Sequence, residues 1–223
     1  MAALKGNPVT IPVSPVIIKA LTHVAPKSDI RYYLNGVLVD VMPRETRYVA
    51  TCGALLVVVR EVIDDDEPAR TPAQIIIPYA VAAALKPCKH VPHSALTYST
   101  EPGAECRIDP LAAGAVVFVP VDGKFPDYMR VFPTVAPSLA HAHFDARLVW
   151  AAERFAQDVR GKDIRGLSHI LPNGQAGACV VFTSLVDAFG IVMPLCGDAC
   201  PGLESIPTWA QPAGGFPAVA VAS

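Results

Sequence analysis

The spacing of apolar positions changes several times along this chain, and each change marks the edge of an element. Residues 9–13 read as a strand. Ser14 then suits a helix N-cap and Pro15 the first helical position, while Ile17, Ile18 and Leu21 form an apolar stripe at helical spacing. Two runs rich in β-branched and aromatic residues, 31–40 and 48–59, read as a pair of strands about a polar turn at 43–46, with Gly53 bending the second. An acidic loop at 64–67, closed by Pro68, ends this first unit.

The same order then recurs. Residues 74–78 predict a strand, 79–85 a short helix stopped by Pro87, and three short strands follow near 95–98, 105–108 and 115–120. A connector over 125–133 leads to the third unit. There, 140–144 reads as a strand and 145–159 as the clearest helix in the chain. Leu148, Val149, Ala152, Phe155 and Ala156 make its apolar face, and Arg147, Glu153, Arg154 and Asp158 its solvated one. Gly161 supplies the stop. Strands at 167–171, 178–184 and 190–195 complete the unit, the first two joined by a turn at Asn173 and Gly174. Residues 196–223 are rich in Pro, Gly and Ala and show no period, the composition of a tail, although they carry Leu203, Ile206, Trp209 and Phe216.

Composition narrows the function. The 223 residues are 52% hydrophobic, and the mean hydropathy is +0.38. Yet no run approaches the roughly 18 apolar residues of a membrane span. The first residues have no apolar core ahead of a cleavage site, so a cytoplasmic chain is expected, and its six cysteines are expected as thiols. A net charge of −2 gives no global attraction to nucleic acid, although a local basic face is compatible with it.

Catalytic and metal chemistry find little support. The sequence contains no phosphate-binding glycine loop, dinucleotide fingerprint or nucleophile elbow. Cys88, His90 and His93 with Cys106, and His141 with His143, lack a recognised zinc spacing, and Cys196 and Cys200 pair with nothing evident. A non-enzymatic protein without metal or cofactor is expected.

Three segments carry a resemblance. Arg31, Tyr32, Tyr33, Leu34, Asn35 and Gly36, followed by Val49, Ala50, Thr51, Gly53 and Leu56, resemble the second domain of bacterial β sliding clamps. Those clamps are the processivity factors of replicative DNA polymerases. The chain departs from that pattern at Cys52, Ala54 and Leu55, where clamps carry Asp, His and Arg. Residues 121–133 resemble the clamp segment joining the second and third domains, and 191–195 resemble the last clamp strand. The matches fall in order and span roughly residues 8–195.

The resemblance implies an α+β fold of sliding-clamp type, built from β-α-β-β-β modules. Three modules are expected, with helices on one side of antiparallel sheets. Residues 1–134 correspond to a two-module domain, 135–195 to a half domain of one module, and 196–223 to the tail. It further implies a hydrophobic peptide-binding cleft at Leu34, Thr51, Gly53, Leu56, Pro126, Arg130, Val131, Ile191, Val192, Met193, Pro194 and Leu195. Partners would be polymerase, clamp-loader or repair proteins carrying clamp-binding motifs.

Double-stranded DNA would be met through non-specific phosphate contacts. Candidates for these are Lys19, Lys27, Lys86, Lys89, Arg147, Arg154, Arg160 and Lys162, with Arg165 beyond them; a solvated helix face needs such charges as well. A homo-oligomer is expected, since a ring of twelve modules takes four copies of a three-module chain. The alternative is a truncated, clamp-derived adaptor of phage or mobile-element type, which binds the same peptides or a clamp without encircling DNA. A structural protein reusing the module is more distant.

Overall fold

The computed structural model describes residues 7–88, 91–99, 101, 103–132, 142–160, 169–171, 173, 177–182, 187–195 and 207. The first unit runs β1 (Val9–Val13), α1 (Pro15–Ala20), β2 (Gly36–Val41), β3 (Glu45–Thr51) and β4 (Leu55–Val62). The second runs β5 (Ala73–Pro78), α2 (Tyr79–Ala84), β6 (Ser94–Tyr98), β7 (Cys106–Asp109) and β8 (Val116–Phe118). The third has α3 (Ala146–Arg160), β9 (His169–Leu171), β10 (Cys179–Phe182) and β11 (Ala188–Val192).

Two antiparallel sheets result. One is four-stranded, β1-β6-β7-β8; the other is seven-stranded, β5-β2-β3-β4-β11-β10-β9. Each opening strand of the first two units is thus exchanged: β1 joins the strands of the second unit, and β5 those of the first. The seven-stranded sheet also crosses from the first unit into the third, because Leu55 to Val59 pair antiparallel with Val192 to Ala188.

The central strands of that sheet are covered on both faces, which explains why residues 55–59 of β4 read as an unbroken apolar run. Val37, Val39, Tyr48, Ala50, Leu55, Val57 and Val59 enter the larger core, together with Ile17, Ile18 and Leu21 of the first helical segment and Ala152 and Phe155 of α3. Ala82 of α2 belongs to the same core, so all three helices pack on this one side. The alternate positions Leu38, Val49, Leu56, Val58, Ile76 and Ile191 form a second core on the opposite face.

The connector closes that second face. Its Phe125 and Tyr128 are buried, the Val121 N–H donates to the Ile76 carbonyl at 2.9 Å, and the Tyr128 hydroxyl donates to Asp40 Oδ2 at 2.7 Å. Burial of an aromatic ring of this size contributes about 1.5–3 kcal/mol.

Local signals act as their chemistry requires. Ser14 Oγ accepts from the Ile17 N–H at 3.4 Å, with Pro15 in the first helical turn. Asp145 Oδ1 accepts from the Arg147 N–H at 2.9 Å and so caps α3.

Three expectations need correction. The 31–59 stretch forms three strands, not two: a hairpin turn at Gly53 splits the second run into β3 and β4, and the first run is strand only from Gly36. Arg31 to Leu34 form a 3₁₀ turn, because the Asn35 side chain satisfies Asp29 backbone groups at 2.7 and 2.9 Å and ties the loop into a knot of its own. The polar turn is narrower than 43–46: Met42 N–H donates to Glu45 O at 2.9 Å, and Glu45 and Thr46 already belong to β3. Finally, within 140–144 the described residues make only a single bridge, His143 to Leu195.

Candidate peptide-binding cleft

Where β4 meets β11, a cavity of about 200 Å³ lies between the sheet and the connector. Four separate pieces of chain line it. The 3₁₀ turn brings Arg31 and Leu34; the β3–β4 hairpin brings Thr51, Gly53, Ala54, Leu55 and Leu56. Pro126, Asp127, Tyr128 and Val131 come from the connector, and Ile191 and Met193 from β11 and its exit. Leu34 (2% exposed), Leu56 and Ile191 are buried at its floor, whereas Val131 (45%) and Met193 (41%) remain open to solvent.

The hairpin has the geometry of a two-residue turn. Cys52 N–H donates to Leu55 O at 3.1 Å, and Gly53 has φ +90°, which L side chains rarely adopt. A Cβ there would also lie 2.7 Å from an Arg31 guanidinium nitrogen. Arg31 is held by two bonds to Asp29, Nε to Oδ1 at 3.0 Å and Nη2 to Oδ2 at 2.8 Å, and it donates to Cys52 O at 3.2 Å. Hydrogen bonds from Arg31 hold the Asp29 carboxyl down at about 2. The guanidinium therefore sits at the rim with its charge balanced.

Opposite the hairpin, Tyr128 anchors the connector. Burial pushes its phenol up to about 12, the Asp40 hydrogen bond pushes the same way, and Arg47 opposes them. The Met193 N–H donates to Ala54 O at 2.8 Å, which fixes the exit of β11 against the hairpin.

Of the twelve positions named from sequence, Leu34, Thr51, Gly53, Leu56, Pro126, Val131, Ile191 and Met193 line this one cavity. Val192 lies in the core beneath the helices, because successive strand residues point to opposite faces. Arg130 is exposed in the connector turn, outside the lining; Pro194 is buried, and Leu195 donates to His143 O at 2.7 Å. Arg31, Ala54, Leu55, Asp127 and Tyr128 line the cavity without having been named. All five lie inside or beside the motif segments; the hairpin register points to Ala54 and Leu55, whereas Arg31, Asp127 and Tyr128 are brought in by the 3₁₀ turn and the connector.

The basic candidates are more scattered in their engagements. Lys19 Nζ donates to Leu85 O at 2.7 Å, at the end of α2. Arg147 pairs with Asp145 at 2.7 Å, and Arg154 lies 3.9 Å from Asp158 and 5.5 Å over the Trp150 ring. Lys27, Lys86 and Arg160 are exposed. Lys89, Lys162 and Arg165 fall outside the described residues, as do His90, His141, Cys196 and Cys200. Among the described residues, no group of three His, Cys, Asp or Glu side chains is placed to hold a metal. His93 Nε2 is 3.2 Å from Glu61 Oε1, and burial pushes the Cys106 thiol up to about 11. Among the described residues no helix is long and apolar enough to cross a membrane.

Exchanged opening strands, a sheet continued from one unit into another and an apolar cleft at that junction together define an α+β fold of the DNA sliding-clamp type. Solved bacterial clamps share it. The C. crescentus β sliding clamp superposes with a TM-score of 0.63 at 18% identity, over 88% of this chain and 68% of that one. A sliding clamp (DNA polymerase III subunit beta) from Pseudomonas aeruginosa gives 0.59 at 17% over the same shares. The Thermotoga maritima beta subunit gives 0.58 at 14%, again over 88% and 68%. No protein-family model and no curated protein matches the chain.

Proposed function

We propose that this chain is a clamp-like processivity factor without enzymatic activity, which holds replication or repair proteins by a short hydrophobic peptide seated in the cleft. The observation that carries the reading is the convergence of eight sequence-named positions on one cavity at the β4–β11 junction. An aliphatic floor with Met193 at the mouth suits an apolar anchor, since Met adapts to side chains of differing shape. Ala54 and Leu55 leave fewer polar partners than clamps provide, so affinity rests on burial. Polymerase, clamp-loader and repair proteins are the partners this chemistry fits. Residues 1–134, 135–195 and 196–223 are proposed as a two-module domain, a half domain and a tail, working in the cytoplasm as a homo-oligomer around double-stranded DNA.

A fluorescein-labelled peptide bearing a polymerase-type clamp motif tests the cleft by anisotropy. Micromolar binding, about −8 kcal/mol, is expected for so small a pocket. Binding that is unaffected by Met193→Ala would remove the cleft as its site.

One observation favours a second reading, the adaptor that does not encircle DNA. Arg147 and Arg154 are already offset by Asp145 and Asp158 of the chain itself, which leaves less positive charge for phosphate, and Lys19 Nζ is held by the Leu85 carbonyl. Light scattering over a concentration series separates the two. Closed assemblies with salt-sensitive DNA retention support the processivity factor; a monomer at every concentration supports the adaptor.

A further inference from the structure

Resting on the peptide-cleft reading above, we infer that the cleft is regulated by this chain's own segment 203–209, seated through Leu203, Ile206 and Trp209. Partner peptides then bind only by displacing it.

The starting point of the tail is set by the cleft itself. Met193 lines the cavity and is bonded to Ala54, and two residues later Leu195 is tied to His143 at 2.7 Å. The chain therefore departs from the rim of the cleft, with 28 residues still to come. Leu203 is ten residues beyond Met193 and Trp209 sixteen, a reach of roughly 30–55 Å if extended. That is ample for a return across a single cavity.

The chemistry of the two surfaces agrees. The cleft presents Val131 and Met193 to solvent above an aliphatic floor. Segment 203–209 supplies three large apolar side chains, and its one charge, on Glu204, lies between the anchors and can stay in water. An attached segment needs little intrinsic affinity, because a short linker holds it at an effective concentration near millimolar. Pro207, between the second and third anchors, restricts the backbone and lowers the cost of ordering the segment.

The test titrates the fluorescein-labelled clamp-motif peptide into the full chain and into the full-length variant Leu203→Ser, Ile206→Ser, Trp209→Ser. Loss of the competitor should tighten binding by roughly threefold or more, given millimolar self-competition. Equal affinities overturn the inference and leave the peptide cleft standing; no binding to either chain overturns the cleft reading and this inference with it. A second readout uses the Trp150→Phe chain, in which Trp209 is the sole tryptophan. Unlabelled peptide should shift its emission to the red as it leaves the cavity, and an unchanged spectrum counts against the inference. If the difference between the two chains grows with protein concentration, the tail occupies a neighbour's cleft instead, and occupation of the chain's own cleft is overturned.

Discussion

Met193 and Ala54 are joined by a backbone hydrogen bond of 2.8 Å, although 139 positions separate them in the chain. The bond continues the β4–β11 pairing one step past the last strand residue. It brings a flexible thioether to the mouth of a cavity whose floor is shared between Leu34 and Leu56 of the first unit and Ile191 of its own. The cleft is thus a property of a junction between units, and what disturbs the hairpin or the exit of β11 disturbs both walls.

Gly53→Ala tests the hairpin. The left-handed φ costs an L residue about 1–2 kcal/mol, and the new Cβ meets the Arg31 guanidinium. A loss of that order in the unfolding free energy from urea titration is expected, together with weaker peptide binding as Arg31 is displaced. An unaltered unfolding free energy would mean that the turn relaxes without strain.

Met193→Ala and Leu34→Ala should separate binding from folding. Met193 is partly open, so its truncation removes contact area for a ligand while leaving stability nearly unchanged. Leu34 is buried in the second core, and its truncation should cost about 2–5 kcal/mol of stability. Denaturant curves beside anisotropy titrations check both. Equal destabilisation by the two variants would contradict the placement of Met193 at the mouth.

Tyr128→Phe keeps the ring and deletes the bond to Asp40. Losing a hydrogen bond to a carboxylate should cost about 1.5–3 kcal/mol. Because the connector forms one wall of the cleft, peptide affinity should fall with it, whereas Asp40→Asn should be milder since an acceptor remains. Identical stability of Tyr128→Phe and the parent would show that the connector is held by apolar contacts alone.

Asp29 supplies a pH dependence with a definite sign. Its carboxyl is held down at about 2, below the ordinary 3.8, by Arg31. A lowered folded value stabilises above the unfolded value, and that contribution is lost as pH falls from about 4 towards about 2. Asp29→Asn should therefore lower stability at neutral pH, and the gap from the parent should shrink across that acid window. A gap that is constant from pH 7 to pH 2 would exclude the ion pair as its cause.

Much of this molecule was legible in its sequence because the signals are local. Ser14 and Pro15 start α1, the stripe of Phe155 and its neighbours marks α3, and Gly53 marks a tight bend; each acts within a few residues of itself. Eight positions in the motif segments also line one cavity, since those segments carry its apolar side chains. Strand count between 31 and 59 was not legible. Gly53 reads as a bend within one strand, whereas it turns a hairpin whose two arms pair with each other; Arg31 to Leu34 have strand-like side chains, but Asn35 satisfies the local backbone and removes the need for a ladder. Nor could periodicity reveal that β1 and β5 exchange sheets or that β4 pairs with β11, because pairing is settled by surfaces far apart in sequence. Strand alternation alone separates Val192 from Ile191 and Met193, but only the pairing of β11 with β4 decided that Val192 met the helices and the other two the cleft. Composition and local chemistry determined the elements and their apolar faces. The tertiary structure decided which faces met, because burial rewards contact regardless of sequence distance while the chain's own signals reach only their neighbours.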